Sequence, residues 1–296
     1  MKIAIYGIGV YNDAQFYVSF LIDHLIEKKY DFFIEQQFLT ELKKEKNFTY
    51  ENIKTFSDKQ KIDESFDLFF TFGGDGTILS AISVVQDTKI PIVGINTGKL
   101  GYLASISKTE FQNKIQDLLA KKFIVSERSL INVELNNKKL DFNLALNEIS
   151  INRKESTSMI IIDAYLNNEL LNSYRADGLI ISTPTGSTGY SLSCGGPIVS
   201  PENEIFIVTP IAPHNLNIRP FILSDKMEIK LKVSSRVNEF LLSLDSRQYS
   251  CDISTEITLK KADYKVKLVQ EQENTYLKTL KNKLLWGNDS RNSTQS

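Results

Sequence analysis

The sequence is poor in the residues that most often carry metal or nucleophilic chemistry. It has two cysteines, Cys194 and Cys251, and two histidines, His24 and His214, in 296 residues. The cysteine spacing offers neither a zinc site nor a disulfide framework, so both read as reduced, packed thiols. His24 falls inside a helical pattern and reads as a surface or packing residue. His214 sits among prolines in "TPIAPHNLNIRP" and has no Ser-His-Asp or metal-pair context. Net charge is −1, which excludes a global pull toward nucleic acid or an anionic membrane. Any phosphate-bearing ligand must therefore be held locally. No stretch approaches the roughly 20 apolar residues of a membrane-spanning helix. The opening "MKIAIYGIGV" is followed by no cleavage pattern, so a cytoplasmic protein is expected. Internal repeats and low-complexity linkers are also missing. What remains is a globular composition, 42% hydrophobic and 24% charged, in a chain long enough for two domains.

The first part of the chain alternates strand-like and helix-like segments. Residues 2–8, "YDFFIEQ", 66–72 and 89–96 read as strands. Residues 14–29, "TILSAISVVQ" and 108–122 read as helices. The run "FDLFFTF" is apolar on both faces, as a central parallel strand requires. From about residue 125 short alternating strands take over, among them "INVEL", "FNLALNEISIN", "GLIISTP", "EIFIVTP" and "NEFLLSLD". The expected fold is an α/β N-terminal domain with a parallel sheet, followed by a mostly antiparallel β-rich domain. Its boundaries fall at 1–124 and 125–262. Within the last segment, "TYLKTLKNKLLWG" reads as a short helix and "NDSRNSTQS" as a frayed tail.

Three stretches have a composition suited to ligands. "GIGVYN" holds Gly7 and Gly9, but Asn12 stands where a dinucleotide fingerprint needs a third small residue, and a plain turn is favoured. "GGDGT" (73–77) follows a strand and precedes a helix, where α/β sheets bind ligands. Gly73, Gly74 and Gly76 let backbone N–H groups approach phosphates, and Thr77 can cap the following helix. No Walker-type "GKT" or "GKS" follows. A carboxylate at Asp75 suits either an acid that orients and deprotonates an attacking hydroxyl or one that holds Mg2+. The plainer reading is an Asp that stabilises a turn. In "ALNEIS", Asn147 and Glu148 adjoin in a strand-like run, where neighbours point to opposite faces unless they sit at a bend or strand end. Read alone, that pair is an edge-strand pair facing solvent. Finally, "RADGLIISTPTGSTGYSLSCGG" (175–196) carries seven hydroxyl residues between 182 and 193. It reads as a loop for a polar ligand, with Tyr190 as a wall for a base.

Taken together, "GGDGT", "GINTGKLGYL", "LNE", "RADGLIISTPTGSTGYSLSCGGPI", "APHNLNIRP" and "LKNKLLWG", in this order, resemble the NAD kinase family along nearly the whole chain. "GGDGT" is shared with lipid kinases and phosphofructokinases; the run from Asp177 through Ser193 is far more specific. The resemblance implies ATP-dependent phosphorylation of the 2′-hydroxyl of the adenosine ribose of NAD, with Mg2+ or another divalent cation accompanying ATP. It implies Asp75 as general base with Gly76 beside it, and ATP phosphates over Gly73, Gly74 and Thr77. Asn147 and Glu148 match the pair that grips adenosine. Asp177 matches a carboxylate at the nicotinamide end, with Arg175 its neighbour. Thr185, Thr188, Gly189, Tyr190, Ser191, Leu192 and Ser193 match the nucleotide loop. Tyr102 and Ala212 line the same pocket. The C-terminal segment 263–296 is expected to return to the first domain, and a homodimer or homotetramer is implied.

One departure stands out. Many bacterial members read Asp-Gly-Gln or Asp-Ser-Gln where this chain reads Asp245-Ser246-Arg247. Arg247 puts a planar fork where an amide would contact the dinucleotide. Two other readings share part of the pattern. Diacylglycerol-type lipid kinases have Asn-Glu almost directly after "GGDGT", whereas here "ILSA" follows and no basic amphipathic helix suggests a membrane. A non-catalytic NAD(P) sensor would have no need to keep Asp75 with the whole nucleotide loop. These residues do not distinguish ATP from polyphosphate as donor, or NAD from NADH as acceptor.

Overall fold

The run Leu68–Gly73 is buried along almost its whole length and lies in the middle of a sheet. The computed structural model describes residues 1–11, 13–57, 62–98, 101–104, 106–154, 159–270 and 276–284. Its first sheet has the strand order Lys54–Phe56, Asp31–Glu35, Lys2–Tyr6, Leu68–Gly73, Ile92–Asn96, Val266–Gln270, Ile124–Arg128. A short strand, Ile106–Ser107, pairs with Ile92–Asn96. The pairs from Lys54–Phe56 through to Ile92–Asn96 and Ile106–Ser107 are all parallel. From Lys2–Tyr6 the chain moves outward in one direction and returns to Leu68–Gly73 on the other side. The turn after Tyr6 and the "GGDGT" loop therefore leave the sheet at a reversal of strand order, where open α/β sheets bind ligands.

Helices cover both faces of this sheet. Val18, Leu21 and Leu25 of the helix Ala14–Glu27 and Phe111 and Ile115 of Lys108–Leu119 pack with Ile3, Ile5, Phe70 and Phe72. The helix Asp75–Val85 packs on the opposite face, with Ile78 against Gly94. Each such fully buried side chain contributes about 1.5–3 kcal/mol of apolar transfer energy. Ser107 and Glu110 form a reciprocal capping box at the start of Lys108–Leu119.

The rest of the chain builds two six-stranded antiparallel sheets around one apolar core. One runs Phe221–Ser224, Ile205–Ile211, Gly178–Ser182, Glu148–Arg153, Glu239–Leu244, Arg247–Asp252. The other runs Glu169–Ala176, Ile160–Leu166, Ile229–Ser234, Ile257–Lys261, Ile131–Leu135, Leu144–Ala145. Contacts divide the chain into two compact units, Met1–Ser126 with Lys267–Ser296, and Glu127–Val266. The fold class expected from the sequence, a parallel α/β part and an antiparallel β part, is what the strands form.

Several details differ from expectation. The strand read through "YDFFIEQ" stops at Glu35, because the Glu35 carboxylate accepts the Phe38 N–H at 2.7 Å and starts a helix, Gln36–Leu42. "FNLALNEISIN" is two strands, Leu144–Ala145 in one sheet and Glu148–Arg153 in the other, so the chain crosses between layers at Leu146 and Asn147. Asn12 and the tail read as frayed lie outside the described residues, and the last described helix is Tyr276–Leu284. Among the described residues no helix is long and apolar enough to cross a membrane.

Candidate active site

In the α/β unit the helix after Leu68–Gly73 begins at Asp75 itself, with Gly74 as its N-cap. Thr77 is therefore not the cap. It lies in the first turn, its N–H bonded to the Gly74 carbonyl at 3.0 Å, and its side chain is buried. An added Cβ at Gly74 or Gly76 would meet nothing within 4 Å, so the backbone there is open to a ligand. Asp75 is turned toward the segment 101–104. Its Oδ2 accepts the Tyr102 N–H at 2.8 Å, and its Oδ1 accepts the N–H groups of Leu103 and Ala104, both at 3.0 Å. Gly101 is required by this contact, since a Cβ there would stand 1.7 Å from Asp75 Oδ1. A carboxylate has about four acceptor positions, so three N–H donors fix its orientation and leave one position on Oδ2 for a hydroxyl. Sequence reasoning did not find these partners, because nothing in "GINTGKLGYL" marks its amides as a clamp for an acid. The Tyr102 phenol is pushed up by partial burial and then by the Asp75 charge, and Lys283 stands 5.3 Å from the centre of its ring.

In the β-rich unit the crossing at Leu146–Asn147 resolves the problem posed by two adjacent polar residues in a strand. Asn147 precedes the strand and Glu148 is its first residue. Both side chains reach the same place: an added Cβ on Gly189 would lie 3.0 Å from Glu148 Oε2 and 3.9 Å from Asn147 Nδ2. Asn147 Oδ1 and Glu148 Oε2 are buried acceptors without a partner. Burial, and after it the charge of Asp245, raises the Glu148 carboxyl to about 8, while the Tyr190 N–H opposes the shift. Buried acceptors left without donors call for a ligand that brings hydroxyl or N–H groups.

The hydroxyl-rich loop is tied to that crossing. Thr183 donates its N–H to the Asn147 carbonyl at 2.9 Å and its hydroxyl to the Leu146 carbonyl at 2.6 Å. Gly186 passes so close that a Cβ would stand 2.1 Å from the Asn147 carbonyl oxygen. Not every hydroxyl in the loop is free for a ligand. Ser191 is buried and paired with Thr209 Oγ1 at 2.8 Å, and Thr185 is buried with its Oγ1 3.4 Å from Arg128 Nη1. Thr188 and Gly189 are half-buried, as is Leu192, whereas Tyr190 and Ser193 are exposed.

Asp177 forms a 3.0 Å ion pair with Arg153 and lies beside the end of the strand Ile205–Ile211, its N–H bonded to the Ile211 carbonyl. The next residue, Ala212, is exposed and adopts a left-handed φ of 43°, a conformation that costs a residue with a Cβ on the order of 1 kcal/mol. Arg175 is exposed on the strand Glu169–Ala176 and lines a cavity of about 530 Å3 with Ser234, Ser235 and Arg236. Its carbonyl accepts the His214 N–H. Arg247 is committed elsewhere. Its guanidinium donates to the carbonyl of Phe142 at 2.6 Å and to that of Leu144, and stacks 4.8 Å from the Phe142 ring centre.

The chain is similar to known proteins along nearly its whole length. Residues 12–123 match the ATP-NAD kinase N-terminal domain, and residues 146–271 the ATP-NAD kinase C-terminal domain. An NAD kinase of Christiangramia forsetii is 48% identical over 295 residues, which is 99% of this chain and 100% of that protein. The crystal structure of yeast NADH kinase complexed with NADH has a TM-score of 0.84. It covers 98% of this chain and 88% of that one, and at 24% identity the likeness is one of fold. An NAD kinase from Archaeoglobus fulgidus in complex with ATP has a TM-score of 0.73 at 25% identity, covering 96% of this chain and 99% of that one.

Proposed function

The chain belongs to the NAD kinase family and is a phosphotransferase acting on NAD; from that premise we propose that it moves the γ-phosphoryl group of ATP to the 2′-hydroxyl of the adenosine ribose, giving NADP and ADP. The observation that carries this reading is the pair of unpartnered buried acceptors, Asn147 Oδ1 and Glu148 Oε2, beside Gly189. A ribose offers vicinal hydroxyls, which can donate to these two oxygens and accept in turn from the Asn147 amide. Tyr190, exposed next to them, supplies an aromatic face for adenine. Asp177 and Ala212, adjacent at the end of Ile205–Ile211, serve the nicotinamide end.

Asp75 takes the 2′-hydroxyl on its remaining acceptor position, orients it toward the γ-phosphorus, and accepts its proton as the new P–O bond forms. The β–γ bridging P–O bond breaks and its electrons leave with ADP. Phosphoryl transfer passes through a loose transition state, so orientation and charge neutralisation count for more than basicity. That suits an acid pinned by three amides. The ATP phosphates lie over Gly73 and the open backbone of Gly74 and Gly76 at the N-terminus of Asp75–Val85, with Thr77 in its first turn. Mg2+ enters with ATP as part of the substrate. Among the described residues no group of three or more His, Cys, Asp or Glu side chains could hold a metal, and three of the acceptor positions of Asp75 are already filled. A cytoplasmic homo-oligomer completes the proposal, with both thiols free.

The test is a coupled assay of NADP formation from NAD, ATP and Mg2+ by the purified chain. NADP appearing in proportion to ADP supports the reading. ATP hydrolysis without NADP, or NAD binding without turnover, contradicts it.

A further inference from the structure

The hairpin tip Asp245-Ser246-Arg247 touches more of the crossing segment than any single ligand contact would require. Leu244 and Arg247 are paired across the strands Glu239–Leu244 and Arg247–Asp252, so Asp245 and Ser246 are the whole turn. Asp245 has a left-handed φ of 50°, which Asp tolerates and two-residue hairpins demand. Its side chain is 3% exposed. Its Oδ2 accepts the Leu146 N–H at 2.9 Å, and its Oδ1 accepts those of Asn147 at 2.8 Å and Glu148 at 3.2 Å. Its own N–H returns a bond to the Glu148 carbonyl. Two residues on, Arg247 reaches the other polarity of the same segment through the carbonyls of Phe142 and Leu144. The tip thus clasps N–H groups at 146, 147 and 148 and carbonyls at 142, 144 and 148, while Thr183 holds the carbonyls of 146 and 147 from the opposite side.

This matters because the segment is neither strand nor helix where it changes sheets, and its amides have no ladder to satisfy them. Left to alternation, Asn147 and Glu148 would face apart. We propose that Asp245 and Arg247 are positioning residues for NAD phosphorylation: they hold residues 142–148 in the one path that brings the Asn147 and Glu148 side chains together beside Gly189, and Arg247 does so without touching the dinucleotide. The planar fork explains why arginine serves here. Two donor nitrogens on one rigid head take two carbonyls two residues apart, a fixed fork that the single rotatable ammonium of a lysine does not provide.

The inference rests on the NAD kinase reading, and wild-type NADP formation measured in the same experiment reports that reading separately. The experiment is steady-state kinetics on the full chain, varying NAD and ATP independently, for Arg247→Ala, Arg247→Gln, and Arg247→Ala in an Asn147→Ala/Glu148→Ala background. Arg247→Ala should raise KM for NAD about tenfold, the loss of charge-assisted hydrogen bonds, with KM for ATP within about twofold. Arg247→Gln, whose amide can still donate to a carbonyl, should recover most of that loss. In the Asn147→Ala/Glu148→Ala background Arg247→Ala should add less than about twofold, since the groups it positions are gone. If the losses multiply, Arg247 contacts the dinucleotide itself and the proposal falls. It falls equally if a folded Arg247→Ala keeps the wild-type KM for NAD, or if KM rises alike for both substrates. Should Arg247→Ala not fold, Arg247→Lys is measured instead: charge without the fork should give the same loss, and a wild-type KM overturns the assignment.

Discussion

Asp75 and Asp245 make the same set of bonds in two different units. Each accepts three consecutive backbone N–H groups, from Tyr102, Leu103 and Ala104 in one case and from Leu146, Asn147 and Glu148 in the other. They differ in what else can reach them. Asp75 is half-buried beside open glycine backbone, so an acceptor position stays within reach of a substrate. Asp245 is sealed, burial pushes its carboxyl up despite the three amides, and its charge acts on Glu148. Under the proposed function one hydrogen-bond pattern serves chemistry in one unit and scaffolding in the other, and what differs between the two acids is solvent access.

Perturbing each acid through its surroundings sharpens that contrast. Short of replacing Asp75 itself, the largest effect is expected at Gly101. Gly101→Ala places a Cβ on Asp75 Oδ1 and must displace the acid. Displacement of a reacting group by an ångström costs about 10²-fold, so kcat should fall by that order with binding of NAD to the β-rich unit retained. A Gly101→Ala variant with wild-type kcat would mean the carboxylate need not sit where it does. Next is Asp245→Asn, which leaves buried amides without full acceptors. A loss of roughly 2–3 kcal/mol of stability is expected, seen as a Tm lower by several degrees. Asp75→Asn should change Tm far less, since water can serve its half-buried amides. Equal Tm losses would erase the distinction.

Glu148 gives a pH test. Its folded-state carboxyl titrates near 8, above the ordinary carboxylate value of 4.5. Between those two values the unfolded chain has released this proton and the native protein retains it, so stability contributed by this group falls as pH rises, then levels above 8. Glu148→Gln should therefore flatten the decline in Tm over that window, recovering on the order of 1–2 kcal/mol after solvent screening. A Tm profile identical in wild type and Glu148→Gln would contradict the burial of this acid. The smallest effect belongs to the exposed pair Lys44–Glu41, where Glu41→Gln should change stability by less than about 0.5 kcal/mol.

Much of this was legible in the residues. The "GGDGT" loop, the long hydroxyl-rich run and the change from parallel to antiparallel grammar near residue 125 all leave local patterns, because glycine, threonine and alternation act over a few positions. Asn147 and Glu148, read alone, made an edge-strand pair facing solvent; the strand end that alternation left open is what the fold uses, and it buries their acceptors together beside Gly189. What the sequence could not disclose is long-range. The amides that hold Asp75 are contributed by a segment whose side chains do not mark it, and those that hold Asp245 come from a segment about a hundred residues earlier in the chain. The strand Arg247–Asp252, an exposed sheet edge with little apolar alternation, carries no signature. Arg247 invited a reading as a dinucleotide contact because it stands where other members have an amide, yet backbone carbonyls satisfy its guanidinium. Only the fold decides between them.

The most direct test of the central claim, that Asp75 is a chemical group and not a scaffold, is Asp75→Asn measured two ways on one preparation. NAD affinity by calorimetry should stay within about threefold of wild type, while single-turnover NADP formation should fall by roughly 10²–10⁴-fold. Turnover near wild type, or a loss of NAD affinity large enough to account for the whole decline, would contradict it.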